Sequence, residues 1–326
     1  MSKVLVVGNG FDIALGLRSK YSDYINTMAG TNKNAFWPFK EIPKGKYADC
    51  SLYCHFFKYF HPTENTQNIE DNYYHVKWID IEGELLKYVQ SKFDSPIDDE
   101  LAKEDEASFQ NLKMMLQKYI SVMPTTIEPK SPDKYFLRLL ETIKSNGQFD
   151  KAYSFNYTDL RDELIRLAKF KESELPSVVN VHRTPSDENF FNIVLGINED
   201  KRIPPSYRFL FKSMQTEPND MAQDMVKADE VILYGLSLGE IDFPYFKSFF
   251  DHILHQPILS QKKYITIFTA GQNSVNSIWD SFHNANILIH DLKEKSYFNI
   301  IDMENILLPG YDESAFIGIL NRLKSQ

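Results

Sequence analysis

Cysteine is nearly absent from this chain of 326 residues: there are two, too few for the disulfide framework of a secreted domain. Cys50 and Cys54 are followed by His55 and His61, residue types that can hold zinc. Their spacing is poor for that, and the neighbours Tyr53, Phe56, Phe57, Tyr59 and Phe60 read as aromatic core, so no residue is assigned to a metal. Long apolar runs are missing as well, since none reaches the roughly 18 residues that a membrane helix needs. The chain enters Lys3-Val-Leu-Val-Val7 after two residues, which leaves no room for a signal peptide. These absences make the cytoplasm the expected compartment, with no membrane partner. Positive charge is in deficit, with 36 Lys and Arg against 45 Asp and Glu and a net charge of −9. That is the wrong sign for gripping phosphate backbones, so nucleic acid is not an expected partner. Internal repeats and low-complexity tracts are absent too.

What is present is ample apolar material: 43% of residues are hydrophobic and 14% aromatic, enough for a real core and, at about 150 residues per domain, for two domains or one with an insertion. Val4-Leu-Val-Val7 bounded by Gly8 reads as a strand, with Asp12 as a cap for the helix after it. Past Ala29 the pattern turns aromatic and helical, with helices expected over 84–93, over 107–122 and after Ser131-Pro132. Strand patterns return at 153–156, 178–181, 193–195, 231–234, 264–268 and 287–289, most of them separated by helix-length amphipathic stretches. Such alternation requires crossover connections. The expected fold is α/β and Rossmann-like: a mostly parallel sheet with helices on both faces and a helical insertion after the first strand-helix unit. The expected boundaries are 1–29 with 151–326 for the α/β domain and 30–150 for the insertion. Ligands of such sheets bind beyond the carboxyl ends of the strands.

Gly8-Asn9-Gly10-Phe11-Asp12 lies at one such end, where glycines can let backbone N–H groups approach a phosphate or simply allow a tight turn. It is not a dehydrogenase fingerprint, because Ile13 stands where a third glycine is needed and no acid closes a second strand about twenty residues on. Asp80 and Glu82, ahead of Leu85, Leu86 and Val89, read as helix-capping acids, with a catalytic carboxylate as the alternative. Asn156 ends the 153–156 strand, placed to bind a ribose, to position a water or to close a local turn. His182 ends the next strand, where a neutral imidazole can take a proton from water or a hydroxyl. Gly235-Leu-Ser237-Leu-Gly239 matches the nucleophile elbow G-x-S-x-G, with Asp280 and His290 in the right order for a triad. The helix start signalled by Asp242-Phe-Pro244 comes five residues after Ser237, however, which favours a ligand contact or turn bond over a nucleophile. Lys212 and Gln215 complete the candidates as a phosphate-binding cation and an amide donor, the alternative for Lys212 being an ordinary surface lysine.

Taken in order, Val7-Gly-Asn-Gly-Phe-Asp12, Lys20-Tyr-Ser-Asp-Tyr24, Trp78-Ile-Asp-Ile-Glu82, Phe155-Asn-Tyr-Thr-Asp159, Val181-His182, Leu195-Gly-Ile197 and Gly235-Leu-Ser-Leu-Gly-Glu-Ile-Asp242 resemble the AbiH family of phage abortive-infection proteins. The match spans most of the chain, and the opening GNGFD together with the late SLGEID is its most specific part. Arg183 departs from the glycine that usually follows the histidine, which argues against a ligand approaching the backbone closely there. The order of elements is also distantly similar to sirtuin-like NAD-binding domains. The resemblances imply phage defence, with a phage-derived trigger and NAD or a related nucleotide as ligand or substrate. Asn156 and His182 would then lie beside the nicotinamide ribose, and Gly8, Asn9 and Gly10 near the phosphates. The cofactor-binding set expected on this reading is Gly8, Asn9, Gly10, Phe11, Asp12, Gly235, Ser237, Asp242 and Lys212, the catalytic pair is Asn156 and His182, and no further cofactor is required. A nucleotide-binding sensor without catalysis and a Ser237-dependent hydrolase are the alternatives.

Overall fold

The computed structural model describes residues 1–20, 23, 43–60, 81–93, 98–126, 134–146, 149–185, 191–215, 219–239, 241–257, 260–307 and 313–324. Its strands are β1 (Lys3–Val7), β2 (Lys151–Ser154), β3 (Ser177–Asn180), β4 (Arg183–Pro185), β5 (Phe191–Ile193), β6 (Glu230–Tyr234), β7 (Tyr264–Thr269) and β8 (Tyr297–Asp302). The helices are α1 (Asn9–Ala14), α2 (Leu52–Phe60), α3 (Ile81–Gln90), α4 (Asp99–Thr126), α5 (Lys134–Asn146), α6 (Leu160–Arg166), α7 (Met221–Lys227), α8 (Phe243–His255), α9 (Gln272–Asn284), α10 (Ile289–Lys295) and α11 (Ser314–Lys324). None of the described helices is long and apolar enough to cross a membrane.

Six strands form one all-parallel sheet in the order β3-β2-β1-β6-β7-β8. Within that sheet the chain runs outward from β1 to β3, then returns to the other side of β1 and runs outward again. This is the Rossmann order, and it places a topological switch point between β1 and β6. The two central strands are buried along their whole length, as KVLVV and EVILY, because helices cover both faces and leave no polar side. Side chains alternate accordingly. Val4, Val6, Val231 and Leu233 join a core with Phe246, Phe249, Phe250 and Phe282 from α8 and α9. Leu5, Val7, Ile232 and Tyr234 join a second core with Phe136 and Leu139 of α5 and Phe316 and Leu320 of α11. Each such side chain, fully enclosed, contributes about 1.5–3 kcal/mol.

The chain divides into two compact units, one of residues 1–17, 129–183 and 218–326 and the other of 18–128 and 184–217. The first holds the sheet; the second holds α2, α3 and α4, the helical insertion after the first strand-helix unit. These boundaries differ from 30–150: α5 lies with the sheet because Phe136 packs on Phe11 at 5.1 Å and on Tyr234 at 5.0 Å, while 184–217 joins the helical unit.

Two strand expectations fail. Residues 287–289 lead into α10 and form no strand: Ile287 and Ile289 are buried and Leu288 is 60% exposed, an in-out-in pattern that a helix entry produces as readily as a strand over three residues. The sixth strand is instead Tyr297–Asp302. The expected strand at 193–195 shrinks to its first residue, which ends β5, partner of β4 in a separate two-stranded sheet. The helix expected over 84–93 begins at Ile81 and that over 107–122 extends to Asp99–Thr126, while Ser131 and Pro132 lie outside the described residues.

Candidate functional site

The carboxyl ends of β1 and β6 are sewn together by backbone. Gly8 N–H donates to Tyr234 C=O and Gly10 N–H to Gly235 C=O, both at 2.9 Å, and Phe11 N–H donates to Gly8 C=O at 2.8 Å. The amides of Gly8, Gly10 and Phe11 thus already have acceptors, so the phosphate cradle expected of them would require those bonds to open. The glycines have another reason to be there: a Cβ on Gly10 would sit 2.5 Å from Gly235 Cα, and one on Gly235 2.6 Å from Phe11 N. Gly235 also has φ +66°, a left-handed conformation that glycine adopts without penalty. Asn9 is half-buried. Phe11 points into the core, edge-on to Phe136 and to Tyr234.

Asp12 is not the cap of α1, a place taken by Gly8; it lies inside the helix with 1% exposure. Asn156 Nδ2 donates to Asp12 Oδ1, and Thr158 Oγ1 donates to Asp12 Oδ2 at 2.7 Å. Glu163 of α6, 2% exposed, has both oxygens buried without a hydrogen-bond partner among the described residues and lies near enough to feel the charge of Asp12. Burial pushes Asp12 up to about 7, opposed by the hydrogen bonds it accepts. Burial, and then the charge of Asp12, pushes Glu163 well above the usual carboxyl range. Two enclosed carboxyl groups side by side cannot both ionise cheaply, so the pair holds a proton at neutral pH.

That coupling has a definite sign. A carboxyl whose pKa rises on folding contributes stability below its unfolded value and loses it as pH rises through its folded value. Stability of the wild type should therefore fall as pH climbs from 3.8 through about 7. Glu163→Gln supplies a permanent hydrogen-bond donor beside Asp12, and should flatten this slope and melt higher than wild type above neutrality, by about 1–3 kcal/mol. Thermal melts of both proteins across that range check it, and identical slopes would remove the coupled pair.

His182 follows β3, 4% exposed. Its ring packs edge-on to Phe155 at 5.0 Å, stacks on Tyr157 at 6.1 Å and meets Tyr245 at 6.1 Å. Its Nε2 is 3.9 Å from Asp242 Oδ1. Asp242 is the N-cap residue of α8, with Pro244 in the first turn as the sequence indicates. The structure thus gathers two groups at strand ends of one unit: Asp12 with Asn156, and His182 with Asp242, linked through Phe155 and Tyr157 on either side of Asn156.

Ser237 is exposed, its Oγ accepting from Gly239 N–H at 3.3 Å. In a nucleophile elbow the serine itself takes the strained turn, but here the positive φ values of the motif fall on Gly235 and Leu238, on either side of Ser237. His290 is 80% exposed and sits 3.4 Å from Glu294 on its own helix. The elbow reading therefore lacks both its geometry and its histidine.

Lys212 is the candidate whose surroundings differ most from the expectation. It belongs to the helical unit, is 1% exposed, and its Nζ donates to Glu82 Oε2 at 3.0 Å. Glu82 Oε1 in turn accepts from Gly196 N–H at 3.2 Å, and Gly196 must be glycine because a Cβ would lie 2.1 Å from Leu210 O. The motifs around Glu82 and Gly196 thus meet in a buried ion pair, where a charge losing its partner is strongly destabilising. Gln215 bonds Lys113 and the Leu195 carbonyl. Trp78 to Asp80, His61, Tyr21, Ser22, Tyr24 and Glu240 lie outside the described residues. Cys54 is buried, Cys50 exposed, and His55 bonds Glu84 at 3.1 Å.

Two members of the acid cluster went unnoticed in the sequence. Thr158 sits inside the Asn-Tyr-Thr-Asp motif, overshadowed by Asp159, which caps α6. Glu163 lies beside Leu164 and three residues after Leu160, on the buried face of α6; an acid on an apolar stripe is a readable signal.

No curated protein matches the chain. Residues 4–261, well over half of the 326, match the family model described as Bacteriophage abortive infection AbiH, a span running from β1 past the end of α8. The chain belongs to the AbiH family, which supports a role in abortive infection of bacteriophage.

Proposed function

We propose that the protein defends against phage through a nucleotide site at the switch point of its sheet, and that its chemistry is hydrolysis of the N-glycosidic bond of NAD or a related nucleotide. The observation that carries this reading is the strand order β3-β2-β1-β6-β7-β8, since nucleotides bind open α/β sheets in the crevice where the order reverses. Closure of Gly10 on Gly235 makes the floor of that crevice, and the ligand lies above it, toward the strand ends that carry Asn156 and His182. A sirtuin-like reading of the order of motifs, with Asn156 and His182 beside the ribose, would fit the same crevice.

In this scheme His182, 3.9 Å from Asp242 Oδ1, takes a proton as water attacks the anomeric carbon. The C–N bond breaks, its electron pair leaving with nicotinamide, which departs neutral because the bound ring was cationic. Asn156 orients the reacting hydroxyl or water against the anomeric carbon. No metal or further cofactor enters the scheme, and a phage-derived trigger releases the activity in the cytoplasm. Burial of His182 among Phe155, Tyr157 and Tyr245 favours a second reading, a nucleotide-binding sensor in which His182 is a core residue.

Incubation of purified protein with NAD separates the two: release of nicotinamide and ADP-ribose supports hydrolysis, and binding without turnover supports the sensor. Ser237→Ala serves as the parallel variant. It should fold as wild type and weaken nucleotide binding by about 0.5–1.5 kcal/mol, one hydrogen bond, and a serine-reactive fluorophosphonate should leave Ser237 unlabelled. Labelling of Ser237, or an esterase activity abolished by its loss, would overturn the nucleotide scheme in favour of a hydrolase.

A further inference from the structure

Asn156 can fill its place in two amide orientations that differ only in which end meets Asp12. An ionised carboxylate accepts and never donates, so Asp12 Oδ1 takes Nδ2 and turns the amide oxygen away. That oxygen is buried and has no hydrogen-bond partner among the described residues, in a side chain 4% exposed. Thr158 Oγ1 donates to the other oxygen of Asp12, so both carboxylate oxygens are held by a donor. A buried acceptor held in one orientation with nothing donating to it is an arrangement suited to receiving a hydrogen from something else.

We propose that Asp12 is a positioning residue, which holds the Asn156 amide so that its Oδ1 accepts a hydrogen from a ribose hydroxyl of the bound nucleotide. Burial and the charge of Asp12 push Glu163 above the usual carboxyl range, so above the Asp12 transition it is Asp12 that accepts. This inference rests on the nucleotide reading above for the identity of the donor, but the orientation of the amide does not depend on it.

Two measurements keep these apart. The first needs no ligand: in side-chain amide NMR above the Asp12 transition, an Nδ2 proton of Asn156 should exchange slowly in the wild type and rapidly in Asp12→Leu. Equal exchange in both would overturn the positioning role. The second measures binding of NAD and of an NAD analogue lacking one hydroxyl of the nicotinamide ribose. The wild type should prefer NAD about tenfold over the analogue that lacks the relevant hydroxyl, and Asp12→Leu should lose that preference. Should Asp12→Leu fail to fold, the exchanged pair Asp12→Asn with Asn156→Asp restores one donor and one acceptor across the contact. That double variant should show slow exchange of the amide now carried at position 12 and regain the hydroxyl preference that Asn156→Asp alone loses, a rescue that generic damage to the core does not give. Equal affinity of the wild type for NAD and both monodeoxy analogues would overturn the hydroxyl assignment and leave an ordered water as the donor. Failure of NAD to bind at all removes the dinucleotide reading, and the exchange data then decide the positioning role alone.

Discussion

Gly235→Ala is expected to melt about 4–8 °C below the wild type, or to fail to accumulate as folded protein. Two independent penalties meet at this residue. Its φ of +66° puts a Cβ in a conformation that L-residues enter at a cost of about 1 kcal/mol or more. The added Cβ would also fall 2.5 Å from Gly10 Cα and 2.6 Å from Gly10 C and Phe11 N. These are backbone atoms of the turn that follows the central strand, so no side chain can swing aside to make room. Separating the loops would break the bond from Gly10 N–H to Gly235 C=O, and the total loss should reach about 3 kcal/mol. Gly10→Ala has the second penalty only and should fall between Gly235→Ala and the wild type. Two glycines serve as controls. Gly239→Ala meets nothing nearer than Ser237 Oγ at 3.5 Å and should change stability by less than about 0.5 kcal/mol. Gly318→Ala meets nothing within 4 Å inside α11 and should stabilise by about 0.5–1 kcal/mol. Thermal melts of the four proteins rank them, and wild-type stability of Gly10→Ala and Gly235→Ala together would mean that the loops do not touch in solution.

The sheet was legible because its strands are buried on both faces and so appear as short β-branched runs, Val4 to Val7 and Val231 to Tyr234 above all. Tyr297–Asp302 was harder to see: its burial is uneven and Tyr297 is 49% exposed, as befits an edge strand. Asn156, His182 and Asp242 could be placed just past two strands and at a helix start because such positions have local signatures. What those signatures cannot reveal is which groups are already spoken for. The acceptors of the Gly8 and Gly10 amides lie more than two hundred residues away in sequence, at Tyr234 and Gly235. The same distance hid the partner of Lys212: Glu82, which closes a motif that read as a capping acid, is brought to it only by the packing of the helical unit. A lone lysine or glycine in a sequence names a capability, and the fold decides what it is used for.

In cells challenged with a susceptible phage, His182→Ala and Asn156→Ala should each lose protection while the soluble protein level stays unchanged. Both side chains lie in the unit that holds the sheet, within three residues of the ends of the adjacent strands β2 and β3, and Phe155 and Tyr157 bring the Asn156 segment against the His182 ring. If the two serve one chemical step, the double variant should be no worse than either single one, because groups acting as a unit are strongly non-additive. A loss through folding would look different: Asn156→Ala leaves Asp12 without the hydrogen bond from Asn156 Nδ2, and His182→Ala opens a cavity among aromatic rings, so melts of both purified variants belong beside the plaque counts. His182→Gln separates packing from proton transfer, since it fills much of the space and cannot take the proton. Loss of protection by His182→Gln with a wild-type melt points to chemistry, and retained protection points to packing. Cellular NAD supplies the decisive reading. NAD that falls after infection of wild-type cells, and holds steady in both variants, fits hydrolysis at this strand edge. NAD that holds steady while the wild type still defends leaves membership of the AbiH family untouched and removes NAD cleavage as the means of defence.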